Sequence, residues 1–167
     1  MSQTITAATT KAPACDPATR VTKSLLGYGV IAGPFYVAVS LAQALTRDGF
    51  DLTRHAWSML ANGSLGWIQI TNLIVTGLMV ISGAVGLRRV LDQGVGSTWA
   101  PRLLSVYGVS MVAGGIFRAD PAQGFPHGTP QGATTTSWHG MLHFGVGRHR
   151  LRLPRRGVLR AGASLLG

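Results

Sequence analysis

The 167-residue chain is 46% hydrophobic and 12% charged, with fifteen Lys and Arg, five Asp and no Glu, where an average soluble domain carries roughly 25% charged residues. So few ionic groups cannot coat an aqueous globule, and the missing Glu removes the residue that wet helix faces use most. The formal charge of +10 does not point to nucleic acid either, because Arg148, Arg150, Arg152, Arg155, Arg156 and Arg160 crowd the last twenty positions and the other basic residues flank apolar runs, whereas a nucleic-acid binder shows a basic face on a folded domain.

Residues 1–22 are polar, rich in Thr and Ala and without periodicity, and read as a disordered cytoplasmic tail. Cys15 is the lone cysteine, which excludes an internal disulfide framework and a Cys-rich zinc site. The first apolar run, Leu25–Leu45, holds 21 residues without charge, the length that a helix needs to cross hydrocarbon. Pro34 near its middle is tolerated in a membrane helix. Arg20 and Lys23 precede the run and no A-x-A-like site follows it, so it reads as an uncleaved span rather than a signal peptide.

The second run, Trp67–Leu87, is another 21 uncharged residues, opened by an interfacial Trp and closed by Arg88 and Arg89. The third, Ala100–Phe117, has 18 residues, with Pro101 expected in its first turn. A fourth segment opens at His139 but meets Arg148 after nine residues, which as a helix cover only about 13 Å. The expected fold is therefore an all-α polytopic transmembrane bundle, with spans at 25–45, 67–87 and 100–117 and a partial helix at 139–147. Its partner is the lipid bilayer and its place the cell membrane. The bias of basic residues puts the N-terminus in the cytoplasm and segments 46–66 and 118–138 outside.

Residues 148–167 form a basic tail that alternates Arg with Leu, His and Pro. Two readings stay open. If Arg is encoded CGN and Leu CTN, reading from the second base yields small and apolar residues that would complete the span begun at His139, the mark of a frameshift near Gly147. Alternatively the tail is a genuine polybasic segment that binds anionic lipid.

The stretches RDGFDLTRHAWSMLANGSLGWIQITN, ADPAQGFPHGTP and SWHGMLHF resemble the bacterial membrane family known only as domain of unknown function 998, over about residues 24–147. The resemblance implies a six-helix membrane protein in which the HGMLH segment opens the fourth helix; it implies location and architecture but no activity. The chain departs from that pattern after Gly147.

Several residues invite a chemical role. Asp51, His55 and Ser58 stand at i, i+4 and i+7, the order of an acid, a base and a nucleophile, although spacing alone seldom makes a triad. Arg47, Asp48, Asp51 and Arg54 are expected to form an ion-pair cluster that fixes the first outer loop. His139 and His143, one turn apart, could hold Zn²⁺ with Asp120, His127 or His55 completing the shell. That alternative would make the chain a metal-dependent membrane hydrolase of lipids or small esters; the leading expectation is no cofactor and a structural or small-ligand-binding role at the outer face. Gly29-x-x-x-Gly33, Ser82-x-x-x-Gly86 and Ser110-x-x-x-Gly114 fit close helix packing. Residues 120–130, with three Pro, read as an ordered turn-rich loop. No span carries a mid-membrane charge of the kind that ion pathways use.

Overall fold

The computed structural model describes residues 16–132 and 135–151, with side chains in the last helix described as far as Gly145. Residues 1–15 of the expected N-terminal tail and 152–167 of the basic tail lie outside the described residues. What remains is all-helical: α1 (Pro17–Thr46), a short 3-10 segment (Trp57–Ala61), α2 (Gly66–Val90), α3 (Val95–Ile116) and α4 (Trp138–Leu151), with no β-strand among the described residues. The second long helix, α2, is central, with α1 and α3 packed along it and α4 against α3.

The helices α1, α2 and α4 run past both ends of the apolar segments that predicted them, and α3 runs past the start of its own. Pro17 opens α1 with Arg20 donating to the Asp16 carbonyl, so residues 17–22, expected as tail, form its first turns. Proline suits a first turn because its missing N–H would be unpaired there anyway. Gly94, at φ +87°, reverses the chain before α3, which therefore starts at Val95 and leaves Pro101 inside the helix rather than in its first turn. The final helix continues through Arg148 and Arg150 to Leu151, 14 residues in all, since Arg and Leu are good helix formers. At about 21 Å it still falls short of the roughly 30 Å hydrocarbon.

By length and composition, α1 and α2 can cross a membrane; α3 carries Arg102 in its second turn and has a shorter apolar stretch. The distribution of polarity is the opposite of a water-soluble core. Val30, Leu78, Val106 and Val109 are more than half exposed, while Ser40, Gln43, Gln69, Asn72 and Thr76 are buried between α1 and α2. Helix contact here comes from small residues and hydrogen bonds rather than from interlocked Leu and Phe.

The close approaches are made by glycines that sequence spacing only partly identified. A Cβ on Gly83 would lie 2.6 Å from the Gly29 Cα, and one on Gly77 would lie 2.6 Å from the Gly108 carbonyl oxygen. Gly86 meets the backbone of Leu26, but Gly33 and Gly114 have no such close neighbour. Replacing Gly83 with Val is expected to destabilise the protein by about 1–3 kcal/mol, read as a lowered thermal midpoint in detergent. Gly27→Ala, with nothing within 4 Å of the added carbon, is expected to leave the midpoint at or above that of the parent.

Candidate functional site: the loop cap and its cavity

The loops at 47–65 and 117–132 fold together over the end of the bundle where α1 stops and α2 starts. Arg47, at the C-cap of α1, organises them. Its guanidinium donates to the Leu60 carbonyl and, at 2.6 Å, to that of Asn62. A 3-10 segment leaves such carbonyls without partners at its end, and a guanidinium with five donors supplies them. The same group lies 5.0 Å from the centroid of Phe125, and partial burial lowers its pKa. From the other side, the Asn62 side-chain amide donates to the Ala119 carbonyl at 3.0 Å. Phe125, 2% exposed, plugs the junction edge-on against Phe50 and packs with Ala44, Met59 and Leu60.

His55 locks the two loops at the rim. Its Nδ1 accepts the Asp51 amide at 2.9 Å while Nε2 faces the Gln123 carbonyl at 3.0 Å. A carbonyl can only accept, so Nε2 carries the hydrogen and the ring is the neutral Nε2–H tautomer. Arg54 adds a second clasp by donating to Gln131 Oε1 at 3.0 Å. Between these clasps lies a cavity of about 390 Å³, lined by Phe50, Asp51, Arg54, Gln123, His127 and Thr129 among others. This falls within the ~300–1,000 Å³ of small-molecule sites.

The entry to α4 is built differently. Ser137 caps the helix by accepting the Gly140 amide at 3.1 Å, and Asp120 in turn accepts the Ser137 amide at 2.7 Å and its hydroxyl. Gly140 leaves the room that Asp120 needs, since a Cβ there would collide with the carboxylate. Next, the His143 Nδ1 donates to the Phe117 carbonyl at 2.8 Å, and His139 stacks on Trp138 and Phe117.

These contacts redistribute the residues singled out by sequence. Arg47 and Arg54 donate their hydrogen bonds to carbonyl and amide oxygens, and of the expected Arg47, Asp48, Asp51 and Arg54 cluster the described residues show the attraction between Arg54 and Asp51. Arg47 turns to the backbone because the orphan carbonyls of the 3-10 segment are buried and must be paired, whereas exposed ion pairs contribute little. Asp51, His55 and Ser58 do not share a helix face: Asp51 and His55 flank a turn and Ser58 lies in the 3-10 segment. Of the five metal candidates, His55 and His127 line the cavity while Asp120, His139 and His143 serve the α4 entry. Among the described residues, no three His, Cys, Asp or Glu side chains gather to hold a metal ion.

The polar network beneath the cap was not anticipated. Gln43 Nε2 donates to Gln69 Oε1 at 2.7 Å, Gln69 Nε2 to Ser40 Oγ at 3.1 Å, and Asn72 Nδ2 to Ser40 Oγ and the Tyr36 carbonyl at 3.1 and 3.2 Å. Thr76 extends it toward Asn72 Oδ1, and Gln43 Oε1 is left buried without a partner. The spacing did hold a signal: Gln69, Asn72 and Thr76 stand at i, i+3 and i+7 inside an apolar run, as do Ser40 and Gln43 at i and i+3.

The architecture is thus that of an all-helical bundle, apolar outside and polar within, closed at one end by two interlocked loops. The chain belongs to the family described as Protein of unknown function (DUF998), whose model matches residues 30–148. No curated protein and no solved structure matches the chain.

The Asp51 carboxyl sits below the usual carboxylate range, held there first by the Thr53 hydroxyl, then by the Thr53 amide, with Arg54 adding attraction against some desolvation. A carboxyl with a depressed folded-state pKa contributes stability above its unfolded value of about 3.9, lost as pH falls through the folded value. The Thr53 amide resonance is therefore expected to shift with a midpoint below the ordinary carboxylate value. A midpoint at or above that value, or one that persists in Asp51→Asn, contradicts the assigned bonds.

Proposed function

We propose that this chain is a multi-pass protein of the cell membrane that binds a small polar solute in the cavity of its loop cap, with α1, α2 and α3 as spans and the cap on the outer face. The observation that carries the membrane half is the inverted polarity: apolar side chains on the outer faces of three helices, hydrogen-bonded Gln, Asn, Ser and Thr between them. Water would favour the reverse arrangement, whereas in hydrocarbon polar groups must pair with one another. Charges support it too. Arg20, Lys23, Arg88, Arg89 and Arg102 stand at one end against Asp16 and Asp92, while at the capped end Arg47, Arg54 and Arg118 are fully offset by Asp48, Asp51 and Asp120. Under the positive-inside rule the capped end faces outward.

The cavity supports the ligand half. The lining sets Arg54 and the exposed His127 against the ionised Asp51, so the solute is one with a carboxylate or phosphate group for Arg54 and a polar donor for Asp51. Both loops contribute walls, and binding draws on the same clasp that holds them together. The test uses the full chain in detergent with phosphate, acetate, glutamate and glycerol phosphate as probes. At least one anionic probe is expected to raise the thermal midpoint in a saturable way, and Arg54→Ala with His127→Ala to abolish that rise. No shift with any of the four, or a shift unchanged in the double variant, overturns the ligand assignment.

A further inference from the structure

At the end of the bundle away from the cap, residues of α2 and α3 line a cavity of about 700 Å³. Its walls are Ala84 and Val85 on α2 and Pro101, Leu103 and Val106 on α3; its mouth carries Arg88, Arg89 and Arg102, with Trp99 beside them. None of the lining residues is acidic. Arg88 reaches across the gap toward the Ser97 carbonyl at 3.5 Å, and the Arg102 guanidinium lies 5.9 Å from the Trp99 ring centroid. Arg89 is exposed.

We propose that this groove is a binding site for one anionic glycerophospholipid, its phosphate held by Arg88, Arg89 and Arg102 and its acyl chain lying along Val85 and Val106. The inference rests on the membrane reading above. Three like charges brought together without a carboxylate repel one another, and an anion placed among them turns that cost into attraction. Guanidinium forks match phosphate oxygens in pairs. A soluble anion would use the arginines alone, whereas the apolar walls that lead down from them suit a molecule with a charged head and a hydrocarbon tail. Basic pockets between membrane helices on the cytoplasmic side hold headgroups in this way, and that is the side to which the positive-inside rule assigns this end. Trp99 stands at the depth that interfacial tryptophans favour.

Trp99 also supplies the readout. The other tryptophans, Trp57, Trp67 and Trp138, belong to the capped end, so quenching that is lost in Trp99→Phe reports on this groove. The full chain is reconstituted in bilayers of phosphatidylcholine into which brominated phosphatidylglycerol or brominated phosphatidylcholine is titrated. The anionic lipid is expected to quench the Trp99 component at a mole fraction about tenfold lower than the zwitterionic lipid, or lower still. Joint Arg88→Gln, Arg89→Gln and Arg102→Gln replacement brings the two lipids to parity, while the corresponding Lys variant keeps most of the preference. Arg118→Gln, at the capped end, leaves it unchanged. Equal quenching in the parent protein, or a preference that survives the triple Gln replacement, overturns the lipid site while leaving the membrane reading intact. No quenching by either lipid overturns both. If inorganic phosphate alone erases the preference at constant ionic strength, the groove belongs to a soluble anion and the lipid assignment falls.

Discussion

The bundle depends on one set of hydrogen bonds, the network of Ser40, Gln43, Gln69, Asn72 and Thr76 between α1 and α2. In hydrocarbon there is no driving force to press one apolar helix against another, so association falls to close backbone contact and to polar groups that have nowhere else to turn. The glycine pairs Gly29–Gly83 and Gly77–Gly108 let the backbones approach, and the network fixes their register. Pairing Gln43 with Gln69 leaves only one order in which the two helices can be stacked. Everything above follows from that order, because it sets Arg47 at the end of α1 opposite the carbonyls of Leu60 and Asn62.

Arg47 then converts helix register into loop structure. A single guanidinium caps the 3-10 segment and covers Phe125, and Asn62 carries the tie onward to Ala119. The second loop is thereby held over the first, and His55 and Arg54 close the rim around the cavity. The cap is polar and hydrogen-bonded, the outward faces of the long helices are apolar, and the two ends differ in charge.

Much of this was legible in the sequence. Uncharged runs of span length located α1 and α2, because a helix of 21 residues without a charge has no face suited to water. Their ends were not legible, since polar helical turns such as Pro17–Thr22 look like any other polar segment. The start of α3 was missed for the same reason: Gly94 breaks the chain, and only backbone conformation reveals it. The residues of the cap are visible in the sequence as polar residues of two loops, but their partners are not. Charges are visible in a sequence and unpaired carbonyls are not, so Arg47 was assigned to aspartates when its obligation lay with the backbone. Histidine spacing misled similarly, because His139 and His143 share a helix turn while one stacks on Trp138 and the other bonds to Phe117.

The exposure of the helix faces to lipid is open to direct measurement. Nitroxide labels at Val30, Leu78 and Val109, each introduced into a Cys15→Ser background and reconstituted in bilayers, report collisions with oxygen and with a water-soluble nickel chelate. Collisions at all three positions are expected to favour oxygen strongly, with a label at His127 favouring the nickel complex. If the three helix labels meet the nickel complex as readily as the one at His127, those faces lie in water and the bundle is not a membrane structure.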